Sequence, residues 1–158
     1  MTTYHLAQVN IALPLAPLDS EQLHGFVSRI EEINDLAEKT TGFIWRLKGE
    51  GDNALALQVF EDNRMIINMS VWENFDALYN YTYYSDHVQV YRQKGGWMEK
   101  LAYAHMCLWW IPAGHTPTPQ EGRARLEYLH QHGVTPYVFS FKNRFTSEEA
   151  EAFVPVLG

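Results

Sequence analysis

This chain has one cysteine in 158 residues, so an intrachain disulfide is excluded and nothing calls for an oxidising compartment. It is equally short of clustered positive charge. Twelve basic residues face 19 acidic ones, for a net charge of −7, and the densest basic patch is Lys142 with Arg144. Nucleic acids and anionic membranes are bound through runs of Lys and Arg, so neither is expected as a partner. The longest apolar run, Met106 to Ile111, is too short to span a bilayer. The N-terminus carries no basic segment followed by an apolar stretch, so no signal peptide is read there and a cytoplasmic location is expected. Metal and nucleotide signatures are missing too. There is no CxxC, no pair of His at i, i+4 with a Glu, and no glycine-rich phosphate loop, because Gly49-Glu50-Gly51 lacks the continuation. A serine nucleophile elbow and a Cys–His signature are also absent, and Cys107, in an apolar strand, reads as an inert core thiol.

What is abundant is aromatic. Phe, Trp and Tyr make up 14% of the chain, with nine Tyr and five Trp, more than a compact core requires. Some of these rings are expected at a pocket or an interface, where an apolar body with a polar tip is useful. Hydrophobic residues at 46% and charged residues at 20% are ordinary for one globular domain. A domain near this size buries roughly 68–70% of its unfolded surface and needs no staples.

Periodicity gives the element order. Tyr4 to Ala12 alternates as a strand that Pro14 and Pro17 end. Asp19 as N-cap, with apolar residues at helical spacing from Leu23 to Ala37, predicts a helix over 20–39, stopped near Gly42. Phe43–Leu47 and Met65–Trp72 read as strands, with a further strand or continuation over 55–60 and a turn at 61–63. A helix follows from Phe75 to about Tyr83, and a shorter one from Ser85 to Lys94, ended by Gly95-Gly96. Leu101–Ile111 is the most apolar strand. Thr118-Pro119-Gln120-Glu121 is a capping-box sequence starting a helix that ends near Gly133, and Tyr137–Phe141 is a last short strand. The tail from Ser147 gives no assignment. This is an α+β chain in the ferredoxin-like βαββαβ order, one domain, with a C-terminal helix-and-strand extension from about residue 112.

In that plan strand one lies between strands three and four. Ala7, Val9 and Ile11 should join Met65, Ile67, Met69 and Val71 beneath the helices. The opposite face then gathers Gln8, Asn10, Asn68, Ser70 and Trp72, and, from the last core strand, Tyr103, His105, Cys107 and Trp109. A wall of rings with a few fixed amides and hydroxyls suits a small-molecule site. The same wall also suits a dimer interface with a polar centre, and the second sheet face could be covered either by a partner subunit or by the C-terminal extension. His87, near a helix start that favours the neutral imidazole, is the candidate general base. His115, in a Gly–Pro loop, is a candidate ligand contact.

The residues Asn68-Met-Ser-Val-Trp72, Ser85-Asp-His87 and Leu108-Trp-Trp-Ile-Pro-Ala-Gly-His-Thr-Pro117 resemble an uncharacterised bacterial family, domain of unknown function 3291, over nearly the whole chain. That family looks like part of the dimeric α+β barrel superfamily, which includes antibiotic-biosynthesis and quinol monooxygenases and haem-degrading enzymes. The resemblance implies a homodimer and, through Val71-Trp72 and Ser85-Asp86-His87, the superfamily's strand-to-helix pattern, with a monooxygenase-like reaction on a small aromatic or quinol-like molecule as one expectation. A non-catalytic binding or sensing module and a purely structural dimer are the others. Haem-degrading relatives use an Asn on the first strand and a helical Trp and His. Asn10 matches in kind, but Tyr81 and Tyr91 stand at the helical positions, so haem is disfavoured and no cofactor is expected.

Overall fold

A computed structural model describes residues 3–48, 65–84, 97–101 and 103–156. The expected strand over 55–60, the turn at 61–63, the helix from Ser85 to Lys94 and with it His87 and Tyr91 lie outside the described residues. Four strands, β1 (Tyr4–Ala12), β2 (Phe43–Arg46), β3 (Ile66–Trp72) and β4 (Met106–Pro112), form one antiparallel sheet in the order β2-β3-β1-β4. That is the ferredoxin-like order, with β1 between β3 and β4 as the sequence predicts. Helix α1 (His24–Lys39) connects β1 to β2, and α2 (Phe75–Tyr84) follows β3. Beyond β4 come α3 (Pro119–His132) and a short α4 (Ser147–Ala152).

The register decides which side chains share a face. Gln8 is opposite Ser70 on one side and Leu108 on the other. Leu6 is opposite Trp72 and Trp110, and Asn10 is opposite Asn68 and Met106. Directly opposed residues in a ladder point the same way. The face bearing Leu6, Trp72 and Leu108 packs on Ile33 and Ala37 of α1 and on Leu78 and Tyr81 of α2. The other face, Ala7, Val9, Ile11, Ile67, Met69, Val71, Cys107 and Trp109, packs on Leu126 and Leu129 of α3 and on Val138.

This corrects the sequence assignment in two respects. The purely apolar face of β1 and β3 lies not beneath α1 and α2 but beneath α3, and the partly polar face is the one the two earlier helices cover. In β4, the alternating set with Leu108 and Trp110, which the sequence pattern turns towards the helices, does face α1 and α2. Cys107 and Trp109, expected with the polar group, instead share the α3 side with Ala7 and Val9. The period of two separates the two sets of each strand, but it carries no label for which set meets which helix. The choice between a partner and the extension is also answered for this face, because α3 of the same chain occupies it.

Local boundaries differ in instructive ways. α1 begins at His24, after turns through 18–23, and its N-cap is Leu23 with no side-chain cap bond, so Asp19 does not cap it. β4 begins at Met106 rather than Leu101. The expected strand at 137–141 is reduced to a bridge, in which Leu108 and Phe139 exchange both backbone hydrogen bonds at 2.9 Å. The tail left unassigned contains α4, opened by a full capping box between Thr146 and Glu149. The Thr-x-x-Glu spacing that announces α3 announces this helix as well.

Candidate functional site

Five polar side chains from β1 and β3 meet on the face covered by α1 and α2. Gln8 Nε2 donates to Asn68 Oδ1 and to Ser70 Oγ, both at 2.8 Å. Asn10 Nδ2 donates to Gln8 Oε1 and Asn68 Oδ1, both at 3.3 Å. Trp72 Nε1 donates to Ser70 Oγ at 2.8 Å. Burying these groups without partners would cost about 1–3 kcal/mol each, and cross-strand pairing at i, i+2 spacing supplies the partners. Gln8 and Ser70 are buried and Trp72 is fully so, while Asn10 is half-buried and Asn68 exposed. The network therefore runs from a dry end at Trp72 to a wet end at Asn68.

The dry end is fixed by rings. Trp72 stacks on Tyr81 of α2, centroids 5.0 Å apart, and meets the edge of Phe43 at 5.5 Å. Tyr81 Oη donates to the Ile33 carbonyl oxygen of α1 at 3.2 Å. Burial pushes the Tyr81 phenol above its ordinary pKa, with Arg46 pulling the other way. At the wet end, Asn68 Oδ1 accepts twice and the residue is exposed.

The structure thus brings together Asn10, Asn68, Ser70 and Trp72 of the expected residues, along with Gln8. Tyr103, Trp109 and His115 are not brought to them, and His87 is outside the described residues. Trp109 lies on the opposite face, where its Nε1 donates to Glu121 Oε2 at 3.0 Å. His115 Nε2 is 2.7 Å from the other oxygen, Oε1, of the same carboxylate. Thr118 Oγ1 accepts from Glu121 N–H at 3.1 Å, as the capping sequence predicts, but the Glu121 side chain turns away from the cap to these two partners. Tyr103 is exposed and packs edge-on to His130 of α3, centroids 5.0 Å apart. The His105 carbonyl oxygen accepts from Ile11 N–H at 2.8 Å, just before β4. His115, Trp109 and Tyr103 therefore belong to the α3 side.

Sequence reasoning passed over Arg125, although it was legible as a lone cation on the apolar side of α3. Its Nη1 donates to the Tyr137 carbonyl oxygen at 2.6 Å, and its guanidinium carbon lies 3.6 Å from the Tyr137 ring centroid. Burial lowers the pKa of its guanidinium, with Tyr137, Glu121 and Cys107 acting in the opposite sense. Cys107 is fully buried and its thiol pKa is raised by that burial, in keeping with an inert core thiol. Among the described residues, no group of three His, Cys, Asp or Glu side chains is arranged to hold a metal ion, and no helix is long and apolar enough to cross a membrane.

Three solved structures are similar to the chain. A structural-genomics protein YJCS shares 15% identity, over 71% of this chain and 99% of that one, with a TM-score of 0.40. NE2512, a protein of unknown function from Nitrosomonas europaea, shares 7% over 75% and 98%, with a TM-score of 0.47. PA3566 from Pseudomonas aeruginosa shares 11% over 74% and 97%, with a TM-score of 0.42. Identities this low carry no function across. No curated protein matches the chain. The family described as a domain of unknown function, DUF3291, matches residues 5–154, and the chain belongs to that family.

Proposed function

We propose that the protein binds a small, uncharged aromatic molecule of phenol or quinol type at the wet end of the amide network, with Asn10 and Asn68 pairing with its oxygen and Ser70 and Trp72 holding those amides in place. The observation that carries this reading is the connected set of Gln8, Asn10, Asn68, Ser70 and Trp72, buried at one end and exposed at Asn68. Apolar residues would fill a strand face more cheaply, and a fixed amide edge presents both a donor and an acceptor to a ligand. Among the described residues no charged side chain takes part in the network, which favours a neutral ligand. The reading calls for no haem or other cofactor.

A monooxygenase-like reaction at this site, with His87 as base, is the catalytic form of the same proposal. The non-catalytic form is a binding or sensing module. Titrating ¹⁵N-labelled protein with hydroquinone, and separately with its dimethyl ether, tests both. Hydroquinone should shift the side-chain amides of Asn10 and Asn68 and the Trp72 indole, and Asn68→Ala should remove the effect. Equal responses to the ether, or none to either, would sink the proposal. Consumption of the quinol under air that is lost in His87→Ala, with binding intact, separates an enzyme from a sensor. A homodimer remains part of the proposal. With α3 on the far face of the sheet, its contact would use another surface, and sedimentation velocity reads the assembly directly.

A further inference from the structure

We infer a second, separate ligand site: a cleft of about 190 Å³ that takes a small monocarboxylate on the guanidinium of Arg125. Its walls come from Tyr4 of β1, Trp110 of β4, Arg125 of α3, Tyr137 in the turn after α3, and Glu151 and Phe153 of the C-terminal segment. That segment is held down where Val156 N–H donates to Tyr128 Oη at 3.1 Å.

Arg125 is a half-buried cation with no carboxylate at ion-pair distance among the described residues. Among the described residues its hydrogen bond goes to a neutral carbonyl oxygen, that of Tyr137, and its flat face is taken by the Tyr137 ring. Glu121, one turn earlier in α3, spends both oxygens on Trp109 and His115, and Glu127 bonds Arg123. A guanidinium has five N–H donors in a rigid fork, so the edge of Arg125 not used by Tyr137 remains to meet an acceptor. A half-desolvated cation gains most from an anion delivered to it, and the planar fork matches a carboxylate in a bidentate pair. The stacked Tyr137 fixes the fork before the ligand arrives, which lowers the ordering cost of binding.

The rest of the cleft sets the ligand's size and charge. Tyr4, Trp110 and Phe153 offer ring surface to an apolar body. At roughly 30 Å³ per water-sized unit the volume admits about six such units, enough for one ring or a short chain with its carboxylate. Glu151 also lines the cleft, and its negative charge opposes a second carboxylate on the ligand. A monoanion is therefore favoured over a dianion.

The test uses the full chain with sodium benzoate, benzamide and phthalate as probes, followed by calorimetry and by ¹H–¹³C shifts of the Tyr137 ring. Benzoate should bind at least about tenfold more tightly than its neutral isostere benzamide, the ratio expected for one charge-assisted hydrogen-bonded contact. Arg125→Met keeps the stem and should lose that preference. Glu151→Gln, on the surface, should improve phthalate relative to benzoate. Equal binding of benzoate and benzamide, or no binding of benzoate, overturns the site. Retention of the benzoate preference in a folded Arg125→Met protein does the same. Should Arg125→Met fail to fold, the benzoate-to-benzamide ratio of the wild type and the Glu151→Gln response decide alone. Asn68→Ala, in an amide network that shares no residue with the cleft, should leave benzoate binding unchanged, so this site and the quinol site stand or fall separately.

Discussion

Gly122 of α3 lies so close to Met69 of β3 that a Cβ on the glycine would stand 3.0 Å from the methionine Sδ, with Val9 Cγ2 at 3.2 Å. A glycine inside a helix costs about 1 kcal/mol relative to alanine, and here it lets the helix settle onto the centre of the sheet. The layer that α3 forms over Ala7, Val9, Met69 and Trp109 depends on that approach. Gly122→Val should force the two apart and destabilise the protein by about 1–3 kcal/mol, the usual range for overpacking. Gly122→Ala should sit near neutral, since the gain in helix propensity offsets a contact that the flexible end of Met69 can relieve. Urea midpoints measure both, and a valine variant as stable as the wild type would mean that α3 does not bear on the sheet here.

Ser70 Oγ accepts from both Gln8 and Trp72, and the Trp72 indole has no water to turn to. Ser70→Ala removes the shared acceptor. Gln8 retains Asn68, but the Trp72 N–H is left buried and unpaired, so a loss of about 1–3 kcal/mol is expected. Ser70→Ala should cost less in a Trp72→Phe background, because the donor it would orphan is gone there. Additive losses in the double variant would contradict the bond.

Element order and the central place of β1 were legible because they follow from alternation, capping and turn residues, all of them local. The cluster of Asn10, Asn68, Ser70 and Trp72 was legible for the same reason: their shared parity, combined with the expected strand order, puts them side by side. The side on which the helices lie was not. In β1 alternation separates Ala7, Val9 and Ile11 from Leu6, Gln8 and Asn10, and only the packing of Leu6 with Ile33 and Ala37 tells which set faces α1. Trp109 and His115 were picked out singly, but the link between them, Glu121, was read as a cap. A carboxylate at the third position of a helix serves a cap or a neighbour equally well, and the sequence does not say which indole or imidazole will be near.

Glu121 joins an exposed histidine to a buried tryptophan, so its two bonds should have unequal worth. Glu121→Ala leaves the Trp109 N–H without an acceptor and is expected to cost about 1–3 kcal/mol, with a change in tryptophan emission. His115→Ala removes only the exposed partner and should fall within about 0.5 kcal/mol of the wild type. Glu121→Gln keeps an oxygen for the indole and should lie between them. Equal losses for His115→Ala and Glu121→Ala would show that the surface pair, not the indole bond, carries the energy.

Two buried acids make the fold vulnerable to alkali. Burial raises the pKa of the Tyr81 phenol, against the pull of Arg46, and raises that of the Cys107 thiol, against the pull of Arg125. In the unfolded chain the thiol ionises near about pH 8.5 and the phenol near about pH 10. The folded state keeps both protons beyond those values, so above them the unfolded state binds fewer protons and gains. Stability is then fully present below about pH 8.5 and falls as pH rises, first through the thiol and then through the phenol. Cys107→Ala should flatten the decline between about pH 8.5 and 10, and Tyr81→Phe the decline above about pH 10. Tyr81→Phe also loses the bond to the Ile33 carbonyl, so the slope of stability against pH is the quantity to compare rather than its absolute level. Urea midpoints taken from neutral to alkaline pH give those slopes, and slopes unchanged in both variants would place the alkaline sensitivity in other groups.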